Sequence, residues 1–282
     1  MKILITGANG MLAKSVRQRL GKGNELICTD VADLDITDEE AVIQFVKDIK
    51  PEYIVNCAAY TAVDKAEEVY DLADKINGDG PGNLAKAAKL VDATLVHIST
   101  DYVFDGELDV KKAYLEDDEV KPVTVYGKTK LHGEEKVKNN TDKYYIFRTA
   151  WLYGDGNNFV RTMLRLGREN DEVSVVMDQH GSPTYAEDLA DIIGQAIEKK
   201  IPYGTYHSTN QGFTTWYGFT QKIFELANLD TKIKPVSSEE FVRPAKRPKN
   251  SQLSKDKLLA QGITIPSWEN GLKRYLEIEL KK

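Results

Sequence analysis

Little in this sequence points to a metal, a membrane or a nucleic acid. Cysteine occurs twice in 282 residues, as Cys28 and Cys57. Each lies inside an apolar run, and their spacing suits neither a disulfide framework nor a metal site. Both read as buried free thiols in a reducing compartment. The four histidines, His97, His132, His180 and His207, are equally scattered, and no metal is expected. Positive charge is short as well: 38 Lys and Arg against 44 Asp and Glu give a formal net charge of -6. Without a basic excess nothing recruits a phosphate backbone, so neither a nucleic acid nor an anionic membrane is an expected partner. No apolar stretch approaches the length that spans a bilayer. Met1 and Lys2 precede only Ile3, Leu4 and Ile5 before Thr6 and Gly7, which is no secretory leader. A cytoplasmic location is the expectation.

What the sequence does hold is an alternation. Short apolar runs predict strands over 2–6, 25–30, 53–58, 94–99 and 144–149. Longer amphipathic stretches between them predict helices over 11–20, 39–50, 69–90 and 125–139. Strand and helix in turn imply an α/β fold, a Rossmann-type doubly wound parallel sheet with helices on both faces. A further strand is expected over 173–177 and a returning helix over 186–198. After about Ile201 aromatics and turn residues increase, with helices expected over 217–227 and 268–280. Residues 242–248, VRPAKRP, carry too much proline for a helix interior. The expected division is a dinucleotide-binding domain of residues 1–152 plus about 183–200. A smaller, mainly C-terminal α/β substrate domain takes about 153–182 plus 201–282.

The first strand runs into Gly7, Ala8, Asn9, Gly10, Met11, Leu12 and Ala13. Glycine lets a backbone turn tightly and approach a pyrophosphate, and the helix that follows offers free N–H groups. The spacing is G-x-x-G-x-x-A, the short-chain reductase variant of the dinucleotide fingerprint with a small residue in third place. Alone the motif is weak; at the end of a first strand it is strong. Asp30 closes the second strand and can accept hydrogen bonds from the adenosine ribose, which favours NADH over NADPH. An ordinary loop aspartate is the bland alternative there, since Asp33, Asp35 and Asp38 crowd the same loop.

Among fourteen tyrosines only Tyr126 has a lysine four residues later, Lys130. On a helix that spacing puts both side chains on one face. A phenol with a pKa near 10 is a poor acid–base group at neutral pH, and a nearby cation is expected to lower it. Lys130 can also hydrogen-bond the nicotinamide ribose. Taken alone the pair is more often a solvated helix face. It gains weight from Ser99 and Thr100 at the end of the fourth strand, the edge where parallel sheets bind ligands. The hydroxyl of either Ser99 or Thr100 can hold a carbonyl oxygen beside Tyr126. Proton donor and hydride cofactor together make a ketone reductase.

The motifs extend over the whole chain: 56–67 (NCAAYTAVDKAE), 99–106 (STDYVFDG), 126–134 (YGKTKLHGE), 148–154 (RTAWLYG), 178–184 (DQHGSPT) and 243–251 (RPAKRPKNS). In these the sequence resembles the dTDP-4-dehydrorhamnose reductase family of extended short-chain reductases. The resemblance implies reduction of the C4 ketone of dTDP-4-dehydro-L-rhamnose by NADH or NADPH, with Thr100, Tyr126 and Lys130 catalytic. It implies a cofactor site at Gly7, Asn9, Gly10, Met11, Leu12, Asp30, Asp35, Ile36, Ala58, Ala59, Tyr60 and Ile98, shared with Tyr126 and Lys130. It implies substrate contacts at Val63, Asp64, Thr100, Asp101, Tyr102 and Trp151. Arg247, with Arg243, sits in a proline-stiffened loop and could meet a diphosphate bidentately. Some family members join two chains through a metal held by acids. Ser15 stands where one acid is expected and only Glu187 matches the other, so the expectation is a monomer or weak homodimer. Residues 107–121 look longer than their family counterpart, either covering the nicotinamide or lengthening a surface loop. The alternatives are a nucleotide-sugar epimerase or dehydratase of the same superfamily, or a non-catalytic NAD(P)-binding regulatory subunit.

Overall fold

The computed structural model describes residues 1–281. In chain order its main elements are β1 (Lys2–Thr6), α1 (Met11–Leu20), β2 (Glu25–Thr29), α2 (Glu39–Ile49), β3 (Tyr53–Asn56), α3 (Gly80–Leu90), β4 (Thr94–Thr100), α4 (Val125–Asn140) and β5 (Tyr144–Thr149). They are followed by α5 (Phe159–Glu169), β6 (Glu172–Val176), α6 (Ala186–Lys199), β7 (Gly204–His207), α7 (Trp216–Ala227), β8 (Lys232–Val236) and α8 (Trp268–Glu279).

Six of these strands form one parallel sheet in the order β7-β5-β4-β3-β1-β2. Both faces are covered, which is why the strands are apolar along their length. Ile3, Ile5, Val55, Val96, Tyr145 and Phe147 face a layer that includes Leu12, Val16, Leu189 and Ile193 of α1 and α6. Leu4, Ile54, Leu95 and Ile146 face the opposite layer, with Val42 and Val46 of α2, Leu84 and Ala88 of α3, and Val137 of α4. Each such fully buried aliphatic side chain contributes about 1.5–3 kcal/mol. A third core unites α5, β6, α7 and α8 around Val160, Leu164, Val173, Phe219, Ile223 and Leu272. There β6 and β8 pair in parallel.

Two elements depart from the expectation. The predicted helix over 69–90 forms without a break from Tyr70 to Leu90 but is not α-helical throughout. A short helix, Tyr70–Asp74, passes through a π-helical turn, Lys75–Asp79, before α3 begins. Gly78 and Gly80 leave room for it: a Cβ at Gly78 would meet the His132 ring, and one at Gly80 would meet Ile36. The second departure is β7. The segment PYGTYH gave no strand signal, yet its last four residues pair with β5 and form the sheet edge.

Helix α4 carries Tyr126 and Lys130, and it lies unusually close to its neighbours. A Cβ at Gly127 would stand 2.2 Å from the Tyr102 carbonyl, and one at Gly133 would stand 2.1 Å from the Asn77 carbonyl. Only glycine permits that approach, which holds the helix against the end of β4.

Candidate active site

At the end of β1 the chain turns through Gly7 with φ +63, a left-handed conformation that glycine adopts without strain. A Cβ there would lie 2.7 Å from the Ala58 backbone. Gly10 begins α1 with no side-chain cap, and the first turn holds no acidic residue. The first amides of α1 therefore keep their unsatisfied N–H groups and the positive end of the helix dipole. Ala13 is fully buried, so the third small residue serves packing. A pyrophosphate placed there would meet close backbone and free N–H groups. Asp30 stands beside the loop: its carboxylate accepts from Asn9 N at 3.0 Å and from Val31 N at 2.9 Å.

From Gly10, Met11 and Leu12 a cleft of about 500 Å³ runs past Ala58, Ala59 and Ile98 to Thr100, Tyr126 and Lys130. Val63, Asp101, Tyr102 and Trp151 line it as well. The glycine loop, the hydroxyl and the Tyr/Lys pair thus share one cavity. Thr100 ends β4 and its Oγ1 donates to Asp101 Oδ1 at 3.0 Å. Lys130 is buried, with Nζ donating to the Ile98 carbonyl at 2.6 Å and lying 3.5 Å from His97 Nε2.

The electrostatics correct one expectation. Tyr126 is not lowered by Lys130. Burial pushes its phenol up to about 12, the Asp101 charge adds to this, and the Thr100 hydroxyl beside it pulls the other way. Burial also pushes the Lys130 amine down to about 8, against the influence of Glu134 and Cys57. Asp101 is raised to about 6 by burial, despite hydrogen bonds from Ser251 and Thr100. The site therefore holds a protonated phenol close to a carboxyl raised to about 6.

A second cavity, about 680 Å³, adjoins the first and shares Tyr102 and Trp151 with it. Asp64, Phe159, Trp216, Gln179, Phe241, Arg243, Arg247 and Ser251 are among its walls. Trp151 has φ +50 and stacks on Trp216 with ring centroids 3.7 Å apart and planes at 12°. Arg247 Nη2 donates to Asp64 Oδ2 at 2.8 Å, and Ala245 N donates to Asp64 Oδ1 at 3.2 Å. Burial works to raise the Asp64 carboxyl, but the Arg247 bond prevails and holds it below its usual range.

Six expected cofactor residues lie outside the lining of the first cleft: Gly7 and Asp30, at the loop already described, and Asn9, Asp35, Ile36 and Tyr60. Asp35 turns back on Thr37, accepting from its N at 2.9 Å and its Oγ1 at 2.8 Å. Ile36 is buried in the core. Tyr60 is clamped through its backbone by Asn77, whose side chain accepts from Tyr60 N and donates to Tyr60 O. Asn9 stands on the loop against Asp30. Residues 107–121 do not line the cleft. They are tied down beside β5 and β7: Tyr114 stacks on Phe104 at 4.2 Å, Arg148 Nη1 donates to the Glu116 carbonyl, and His207 N donates to Glu116 Oε1.

Sequence reasoning missed several members of the site. Ser251 reaches Asp101 across 150 residues of chain, and Trp216 reaches Trp151 from α7. Glu134 and Arg148 form a buried bidentate pair under Ser99, which donates to Glu134 Oε1 at 2.6 Å. The motifs 126–134 and 148–154 contain both residues, and that was the only signal. Among the described residues no group of three or more His, Cys, Asp or Glu could hold a metal ion. No described helix is long and apolar enough to cross a membrane.

The chain matches the RmlD substrate binding domain family over residues 1–280. A dTDP-4-dehydrorhamnose reductase from Clostridium acetobutylicum has a solved structure that superposes with a TM-score of 0.96 at 54% identity, covering 99% of this chain and 100% of that one. The Bacillus anthracis dTDP-4-dehydrorhamnose reductase, solved in complex with NADP, gives 0.94 at 46% identity, covering 98% and 99%. The Escherichia coli dTDP-4-dehydrorhamnose reductase is 40% identical over an alignment of 292 positions, gaps included, that covers 98% of this chain and 97% of that protein.

Proposed function

The chain belongs to the RmlD family of dTDP-4-dehydrorhamnose reductases, and from that membership we propose how its cleft works. The protein reduces the C4 ketone of dTDP-4-dehydro-L-rhamnose to dTDP-L-rhamnose, using NAD(P)H. The single observation that carries the residue assignment is the shared cavity. Thr100, Tyr126 and Lys130 open into the same cleft as the glycine cradle.

NADH or NADPH, when bound, supplies the hydride. The amides at the start of α1 would hold its pyrophosphate. Asp30 would meet the adenosine ribose, and its charge disfavours a 2′-phosphate, so NADH is the preferred form. Tyr126 gives its proton to the C4 oxygen as the carbon is reduced. A phenol raised to about 12 stays protonated at neutral pH, which is the state a donor needs. The Thr100 hydroxyl orients the ketone oxygen beside it, and Lys130 grips the nicotinamide ribose. Trp151, backed by Trp216, faces the sugar; Val63, Asp64, Asp101 and Tyr102 surround it, and Arg247 meets the diphosphate. We assign the sheet layer to the dinucleotide, the third core to the nucleotide sugar, and the reaction to the cytoplasm.

The test is a panel of 4-keto nucleotide sugars with each cofactor, following cofactor absorbance. Oxidation on the dTDP-4-dehydro-L-rhamnose arm is expected. Tyr126→Phe should cut kcat by about 10²–10⁴-fold while leaving cofactor affinity in place. A protein that never oxidises cofactor on any ketone, yet binds it tightly, would instead be a regulatory subunit.

A further inference from the structure

Behind Lys130 lies a chain of buried polar groups that the reaction as written does not use. Asn56 ends β3 and His97 sits opposite it on β4, in direct register. Both are buried. The Asn56 amide has one possible orientation. Its Oδ1 accepts from Ala58 N at 3.1 Å and from Thr6 Oγ1 at 2.7 Å. A backbone N–H can only donate, so the oxygen is fixed and the amino group must point the other way. It points at His97 Nδ1, 3.2 Å distant.

An amide NH₂ also only donates, so His97 Nδ1 must be the unprotonated nitrogen. A neutral imidazole then carries its hydrogen on Nε2, which faces Lys130 Nζ at 3.5 Å. An ammonium has three donors and no acceptor. Facing Nε2–H, it would set donor against donor. A neutral amine has a lone pair for Nε2–H and still has hydrogens for the Ile98 carbonyl at 2.6 Å.

We propose that His97 is a positioning residue for Lys130: locked in one tautomer by Asn56, it offers Nε2–H to the amine and favours the neutral amine over the ammonium in the cofactor-free protein. No bond is made or broken; only the resting proton occupancy is set. The other titratable groups facing the amine are Cys57 beyond β3 and Glu134 one turn along α4. Glu134 is already neutralised by Arg148 of β5. Burial lowers the amine and, with Lys130 beside it, lowers the imidazole as well; the tautomer lock gives the amine lone pair a donor. The inference deepens the proposed reaction and rests on it for the role of Lys130, but its test needs no substrate.

Nitrogen NMR of the full chain without cofactor should show His97 as the Nε2–H tautomer; an Nδ1–H tautomer overturns the proposal. The Lys130 titration, read from its 13Cε shift, supplies a second arm. His97→Asn puts an acceptor where Nδ1 stands and leaves no donor for Lys130. It should raise the Lys130 titration by about one pH unit, the worth of one hydrogen bond. His97→Gln restores an amide donor near Nε2 and should bring the titration back toward that of the unsubstituted protein. A Lys130 titration that does not move in His97→Asn overturns the proposal. Where a variant does not fold, the tautomer of the unsubstituted protein decides it. Loss of ketoreductase activity on every substrate would sink the proposed reaction and leave this arm intact.

Discussion

Replacing Glu134 by alanine strands the Arg148 guanidinium in the interior. The two side chains are 0% and 2% exposed and share two hydrogen bonds, at 2.9 and 2.8 Å. Removing one partner of such a pair costs about 3–5 kcal/mol, because the surviving charge stays buried without compensation. The Ser99 hydroxyl loses its acceptor as well. At about 2 °C per kcal/mol for a chain of this size, Tm should fall by roughly 6–10 °C. Urea denaturation of Glu134→Leu, Arg148→Met and Glu134→Leu/Arg148→Met, beside Glu134→Ala, forms the test. The pair should couple by at least about 2 kcal/mol, because the double replacement leaves no charge behind. Additivity within about 0.5 kcal/mol would refute the reasoning. The pH dependence has a definite sign. Burial works to raise the Glu134 carboxyl, and Arg148 prevails and lowers it. A lowered carboxyl stabilises above its unfolded value of about 4.3, and that stability is lost as pH falls through the folded value. The gap between unsubstituted protein and Glu134→Ala should therefore close in acid.

Asp101 predicts the opposite slope. Its carboxyl is raised to about 6 in the fold, so it contributes stability below about 3.9 that is lost as pH rises toward 6. The Tm difference between unsubstituted protein and Asp101→Asn should change over that window; a flat difference would count against the burial argument. Gly7→Ala meets both the left-handed φ and a 2.7 Å clash with Ala58; a loop that relieves this strain of about 1–2 kcal/mol leaves its binding geometry, so cofactor Kd should rise by about 5–30-fold. Trp216→Leu removes the backing of Trp151; titration should show weaker sugar-nucleotide binding with cofactor affinity unchanged.

The sheet was legible because parallel strands buried on both faces carry unbroken apolar runs rather than alternating ones, as in residues 3–5 of β1 and 144–147 of β5. The phosphate loop and the Tyr126/Lys130 pair were legible because their geometry is local, a turn and a single helical repeat. What was not legible is set by distance in the chain. Strand β7 has four residues between turn formers and owes its place to β5 and to the core around Ile201, Leu258 and Ile263. The π-helical turn follows from where Asn77 must reach, toward Tyr60 and Thr129. Spacing predicted that Lys130 would lower Tyr126; burial overrode it, and the amine turned to the Ile98 carbonyl.

The stacked indoles of Trp151 and Trp216 carry an optical consequence. The chain has three tryptophans, and two of them lie face to face on the wall between the two cavities. Their transitions are close enough to couple, so the near-ultraviolet circular dichroism should carry a paired signal from one spot in the molecule. Any ligand that slides along Trp151 will disturb that signal. The protein thus contains its own gauge of cleft occupancy, readable without label or turnover.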